Sequence, residues 1–169
     1  MKDSGKSKFG FDEIPSKEKQ EKVSAVFTSV SQKYDIMNDI MSFGLHRLWK
    51  ERFCQKAKLR DDDNVLDVAC GTGDIALNFV RMKSNLKITC LDENNEMLTI
   101  CKNRLMDKGF IKNITFLKSQ VEHLNCENQF SLVTVAFGFR NFTNPQGALR
   151  NLYKSLKPSG RLLIMDFKT

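Results

Sequence analysis

The stretch Val65-Leu66-Asp67-Val68-Ala69-Cys70-Gly71-Thr72-Gly73-Asp74 decides how this chain is read. Val65, Leu66 and Val68 have the composition of a strand, and Gly71-Thr72-Gly73 ends it. Ile75, Ala76, Phe79 and Val80 then follow with helical spacing. The pattern predicts a strand, a glycine turn and the start of a helix. Glycine adopts positive φ cheaply and lets a ligand approach the backbone. The first amides of a helix have no partner within it and point at whatever lies there. The turn lacks the third glycine of a dinucleotide-binding G-x-G-x-x-G, and it lacks the Lys-Ser/Thr of a phosphate loop. It has acid on both sides, Asp67 and Asp74. Phosphate is repelled by such a turn, whereas a ligand with an ammonium and a sulfonium is not. The acids therefore favour S-adenosylmethionine over NAD or ATP, and a ligand site over a bare structural turn.

A second acid strengthens this reading. Lys87-Ile88-Thr89-Cys90-Leu91 has strand composition, and Asp92 ends it, 25 residues after Asp67. That is the length of one strand-helix-strand unit. In doubly wound sheets an acid at this point accepts hydrogen bonds from ribose hydroxyls. Alone, Asp92 reads better as a solvated acid opening a helix; the distance from the glycine turn favours the ribose role.

Composition bounds the remainder. The 169 residues fit one domain, and 41% hydrophobic content supports a real core. Five cysteines, an odd number without a C-x-x-C pair, argue for a reducing compartment and against a disulfide framework or a zinc site. Cys54 and Cys90 read as core, and Cys70 as a small filler in the turn with no His or Cys near it in sequence. No metal site is expected. The polar N-terminus has no signal-peptide stretch, and no apolar run reaches a membrane span. The net charge is +7, with Lys and Arg densest in the first 60 residues. Without a zinc finger, an RNP motif or a basic stripe with interleaved aromatics, nucleic acid is not an expected partner. Attraction to an anionic membrane surface fits the charge better.

From Asn64 onward strand and helix patterns alternate. Strands are predicted at 64–69, 87–91, 114–118, 131–137 and 161–167, and helices at 73–82, 95–108 and 145–157. Asn94 and Pro145 suit the starts of the last two helices, and Pro158-Ser159-Gly160 reads as a turn. Residues 1–20 read as a polar lead, with helical patterns at 21–33 and 34–58. The alternation predicts an α/β fold, a Rossmann-like parallel sheet of five strands with helices on both faces. An N-terminal helical segment, 1–60, precedes the core at 61–169.

Four motifs in order carry a family resemblance: Y-D-I-M-N-D-I-M-S-F-G-L-H-R-L-W-K at 34–50, L-D-V-A-C-G-T-G-D at 66–74, D-E-N-N-E-M-L at 92–98 and A-F-G-F-R-N-F-T at 136–143. With them the chain resembles, from about Phe9 to its last residue, the UbiE/COQ5 quinone-biosynthesis C-methyltransferases, which are class I S-adenosylmethionine-dependent enzymes. The resemblance implies that Asp67, Gly71, Thr72 and Gly73 bind the cofactor around its methionine moiety. It implies that Asp92 holds the ribose, that Gln120 and Val121 border the adenine, and that Ala136 is a further cofactor contact. Arg140 and Asn141 resemble the active-site pair beside the transferable methyl, with Tyr34 closing the pocket. On spacing alone, Arg140 and Asn141 read as ordinary loop residues. The implied substrate is a polyprenyl benzoquinol or naphthoquinol, methylated on a ring carbon in ubiquinone or menaquinone synthesis. Bound peripherally at a membrane, such a protein belongs in the bacterial cytoplasm or the mitochondrial matrix. Leu45, Leu48 and Trp49 read as packing, or as a passage for the polyprenyl tail.

The chain departs from the family pattern at Gln120, where the family has Asp or Asn, at Ser131, where it has Asp, and at Ser159, where it has Gly. The family also continues past the position of Thr169 with a helix and two strands, the last antiparallel beside the fifth. A truncated chain, with an exposed fifth-strand edge open to self-association or to another quinone-synthesis protein, is therefore an expectation. Its alternative function is that of a non-catalytic cofactor-binding remnant or partner subunit.

Overall fold

The computed structural model describes residues 6–9, 12–15, 45–110 and 112–167. Strands β1 (Lys6–Phe9) and β2 (Asp12–Pro15) pair antiparallel where composition suggests only a polar lead. Helix α1 (Leu45–Lys56) falls within the predicted helical region 34–58. The predicted helix over 21–33 lies outside the described residues.

The alternation then runs β3 (Asn64–Val68), α2 (Asp74–Met82), β4 (Lys87–Asp92), α3 (Asn95–Asp107), β5 (Ile114–Lys118), β6 (Phe130–Ala136), α4 (Pro145–Ser155) and β7 (Leu156–Met165). The five strands β3 to β7 form one parallel sheet in the order β5-β4-β3-β6-β7. Asn94 caps α3 by accepting hydrogen bonds from the amides of Glu96 and Met97, and Asn144 caps α4 ahead of Pro145.

Alternate residues of the strands feed two cores. Val65, Ile88, Cys90 and Leu132 pack with Phe53, Phe79 and Leu105 from α1, α2 and α3. Leu66, Val68, Leu91, Val133 and Val135 pack with Ala148 and Leu152 from α4. Burial on both faces explains the near-continuous apolar runs of β3 and β6. The chain winds from β3 outward to β5, then crosses back to β6 and β7. The reversal between β3 and β6 leaves a crevice beyond their C-terminal ends, where ligands of open α/β sheets bind.

The opposite end of the sheet is tied by polar groups. Ser131 donates to Asp63 Oδ1 at 2.6 Å and accepts from the Asn64 amide at 2.9 Å. Arg161 donates to Asp63 Oδ2 and to the carbonyls of Ala57 and Lys58. The departure at Ser131 thus joins β6 to the start of β3.

Strand β7 begins earlier than predicted. Leu156 pairs with Phe130 and Arg161 with Leu132, so Lys157 to Gly160 bulge between two paired segments. The expected Pro158-Ser159-Gly160 turn is this bulge, and Ser159 there has φ +62°, a left-handed conformation unfavourable for a side chain and natural for the glycine of the family pattern. Among the described residues β7 pairs with β6 alone, and Ile164 on it is exposed.

Candidate active site

Two loops form the crevice. After β3 the backbone turns through Ala69, Gly71 and Gly73, with φ of +52°, +53° and +84°. A Cβ on Gly73 would lie 2.4 Å from Cys101 Sγ of α3, so glycine is required there by space as well as by φ. After β6 the chain passes through Phe137, at φ +62°, and Gly138, whose Cβ would lie 2.4 Å from Cβ of Ala69. Glycine at 138 lets the two loops touch. Left-handed backbone at Ala69 and Phe137 is strain of the kind that gathers at ligand clamps.

One lobe of the crevice is a cavity of about 180 Å³ lined by Lys50, Asp67, Gly71, Thr72, Asp74 and Ala136, among others. Asp67 and Thr134 are direct neighbours across β3 and β6, and the Thr134 hydroxyl donates to Asp67 Oδ1 at 2.9 Å. Oδ2 of Asp67 is buried and has no hydrogen-bond partner among the described residues. Burial, with smaller contributions from the charges of Cys101, Asp92 and Asp74, pushes the Asp67 carboxyl up to about 7 against the opposing Thr134 hydrogen bond. A buried carboxylate oxygen left unpaired is costly, and an ammonium supplies the missing partner. The expected cofactor, S-adenosylmethionine, fits this donor-acceptor set.

The acid on the other side of the turn differs. Asp74 Oδ2 accepts from Lys50 Nζ at 2.5 Å, and Oδ1 from Arg104 at 2.9 Å. Burial works to raise its pKa, but the two cations outweigh that and hold the carboxyl below its usual range. Arg104 also donates to the Thr72 carbonyl and hydroxyl oxygens, both at 2.8 Å. The turn is therefore not flanked by two free acids. Asp67 is unneutralised, and Asp74 is a clamp joining α1 and α3 to the start of α2. Sequence reasoning missed Lys50 and Arg104, which stand 24 and 30 residues from Asp74 and carry no local signal.

The second lobe, about 210 Å³, is lined by Asp92, Glu93, Gln120, Val121, Phe137 and Asn141, among others. Asp92 Oδ2 accepts from the Gly71 amide at 2.8 Å and Oδ1 from the Asn94 amide at 2.9 Å. Asp92 thus holds the glycine turn and the start of α3 as well as facing this lobe. Gln120 donates to Glu93 at 3.2 Å, and Glu93 is a second acid that the D-E pair at the strand end signals. Gly73 lines neither lobe; it caps α2 between them and Cys101.

Arg140 and Asn141 share a 3-10 turn, Phe139–Asn141, yet the structure separates them. Asn141 lines the second lobe. Arg140 lines neither, and pairs with Asp166 at 3.0 Å with its guanidinium 5.2 Å from the Phe167 ring centre. Phe167 stacks on Phe137 at 5.0 Å and meets Trp49 edge-on at 5.7 Å. These three aromatics, with Phe53, Ile164 and Lys56, border an open apolar cavity of about 550 Å³. Phe137 lines this cavity and both lobes. Tyr34 lies outside the described residues.

Cys70 is less isolated than its sequence surroundings suggest. Its sulfur, Cys90 Sγ and Cys101 Sγ lie within 4.8 Å of one another, all buried behind the turn. The sheet brings together cysteines separated by 20 and 11 residues, which no local spacing rule detects.

A model of the ubiE/COQ5 methyltransferase family matches residues 15–169. Over 161 residues the sequence is 45% identical to the ubiquinone/menaquinone biosynthesis C-methyltransferase UbiE of Francisella tularensis subsp. novicida, covering 94% of this chain and 64% of that protein. The corresponding UbiE of Ectopseudomonas mendocina is 44% identical, with 94% and 63% covered. The chain thus spans a little under two thirds of the length of these relatives. Among solved structures, a SAM-dependent methyltransferase from Aquifex aeolicus superposes with a TM-score of 0.68 at 25% identity, over 81% of this chain and 72% of that one. The YcgJ protein from Bacillus superposes with a TM-score of 0.64, also at 25% identity, over 69% and 49%. The parallel sheet with flanking helices is the Rossmann-like class I methyltransferase fold.

Proposed function

Because this chain belongs to the ubiE/COQ5 methyltransferase family, we propose that it acts in S-adenosylmethionine-dependent methylation of a ring carbon of a polyprenyl benzoquinol or naphthoquinol. The observation that carries the reading is the buried Asp67 Oδ2, unpartnered among the described residues, on an acid that lines one lobe, with Ala69 and Phe137 lining both that lobe and the Asp92 lobe. The cofactor, when bound, supplies an electrophilic methyl. Asp67 takes its ammonium, Thr72 and Ala136 border its methionine moiety, Asp92 accepts from the ribose, and Gln120 and Val121 border the adenine.

A quinol ring carbon is nucleophilic once the neighbouring hydroxyl has lost its proton, so the protein needs no nucleophile of its own. It must hold the reactants close and exclude water. The aromatic wall of Trp49, Phe137 and Phe167 offers a ring-binding surface beside the cofactor lobes. Arg140, at its rim, stabilises the phenolate, and Asp166 orients the guanidinium. Arginine does not deprotonate in proteins, so the hydroxyl proton leaves through water, held with the help of Asn141 and Tyr34.

No helix among the described residues is long and apolar enough to cross a membrane. A polyprenyl substrate resides in a bilayer, and the +7 charge favours an anionic surface. We place the protein in a reducing compartment, the bacterial cytoplasm or the mitochondrial matrix, in peripheral contact with the membrane. The β7 edge is its surface for self-association or for another quinone-synthesis protein. The deciding assay is transfer of labelled methyl from S-adenosylmethionine to a demethylated polyprenyl quinol in vesicles. Methylated quinol supports the proposal; cofactor binding without transfer supports the non-catalytic reading instead.

A further inference from the structure

One acid of the methionine lobe is shared by two cations. Asp74 carries one negative charge and pairs with two cations, Lys50 and Arg104. Arg104 is further committed to Thr72 through two hydrogen bonds. Lys50 is the one cationic side chain lining the lobe among the described residues. Its side chain is 17% exposed and its ammonium has three donors, one of which Asp74 takes. Asp67, with its free oxygen, lines the same small cavity.

An amino-acid moiety bears an ammonium and a carboxylate on one carbon, so its two receivers must share one cavity. Asp67 and Lys50 meet that condition, and the amides that open α2 add partial positive charge beside Lys50. We propose, resting on the cofactor reading above, that Lys50 of α1 receives the α-carboxylate of the bound S-adenosylmethionine, with Arg104 retaining Asp74. Helix α1 then completes the cofactor site, since Phe53, Cys54 and Ala57 fix it to the core.

The test compares ligands that differ at this one group. Lys50→Met keeps the aliphatic stem and removes the charge; Lys50→Arg keeps the charge. Calorimetric titration is performed with S-adenosylmethionine, with its decarboxylated analogue, and with methylthioadenosine, which lacks the whole amino-acid moiety. Lys50→Met is expected to weaken S-adenosylmethionine by about tenfold to a hundredfold, as for loss of a charge-assisted hydrogen bond. The other two ligands should stay within about twofold, and Lys50→Arg should restore most of the affinity. Retained methylthioadenosine binding shows that the variant site is folded. Equal weakening of all three ligands, or equal weakening of S-adenosylmethionine and its decarboxylated analogue, overturns the assignment and leaves the cofactor reading standing. Unchanged S-adenosylmethionine affinity overturns it too. A native chain that binds none of the three ligands overturns both.

Discussion

Replacing Asp67 by Asn separates the cost of a buried acid from its use. In the free protein the carboxyl is pushed up to about 7 by burial. The unfolded chain ionises the same group near 3.8. A carboxyl whose pKa rises on folding adds no penalty below the unfolded value, and destabilises the fold progressively as pH rises from there through about 7. Three pH units at about 1.4 kcal/mol each make this up to about 4 kcal/mol at neutral pH. Asn keeps the size and the acceptor that Thr134 uses, so the variant without ligand should melt several degrees higher at pH 8 and little differently at pH 4. Binding should move the opposite way. An ammonium pairs with the ionised acid, so affinity for S-adenosylmethionine should fall by about fivefold between pH 8 and pH 6 in the native chain. The ligand amine loses its own proton near about 8, which sets an alkaline limb above that. In Asp67→Asn the acidic limb should vanish, and affinity near pH 7.5 should drop by at least about tenfold. Calorimetric titration across pH and parallel melting curves measure both. An acidic limb that survives in the Asn variant, with unchanged affinity, would refute the pairing of Asp67 with the cofactor.

Asp92→Ala should weaken S-adenosylmethionine by more than about tenfold and also lower the melting temperature, because the Gly71 and Asn94 amides lose a charged acceptor; unchanged affinity in a folded variant removes Asp92 from the site. Arg140→Ala should leave cofactor binding within a few-fold and slow methyl transfer by about a hundredfold or more, and normal transfer would return Arg140 to the role of a loop residue held by Asp166. Arg161→Met should destabilise the fold by about 3 kcal/mol by stranding buried Asp63. Asp63 has its carboxyl held low by Ser131, the Arg60 amide and Arg161 against the opposing effect of burial, so its stabilisation exists above the unfolded value and is lost as pH falls. The difference between native and variant stability in denaturant titrations should therefore shrink toward acid, and a constant difference would contradict the pairing.

The alternation of strands and helices from Asn64 onward was legible because burial on both faces writes apolar runs into β3 and β6, and because glycine, Asn94 and Pro145 mark element ends by local chemistry. The start of β7 was not legible. Its first paired residue, Leu156, lies across a bulge containing Pro158 and Gly160, which locally signal a turn; pairing with Phe130 at long range overrides that signal. The site divided in the same way. Asp67, Gly71 and Asp92 were read from their places at strand ends and in the glycine turn, Thr72 and Gln120 from the family resemblance, and each lines one of the two lobes.

By itself the sequence determined the family, the order of the elements from Asn64 onward and the two acids at the ends of β3 and β4, because each is written in contiguous residues. Only the tertiary structure decided what those acids do. It left one oxygen of Asp67 unpaired beside Thr134, bound Asp74 between Lys50 and Arg104 from two other helices, and gave Asp92 the amides of Gly71 and Asn94. It also set Arg140 apart from Asn141, its neighbour in sequence. Charge neutralisation and burial act through space, between residues that the chain holds tens of positions apart, so the same Asp codes for a free acid, a clamp or a turn support according to what folds against it.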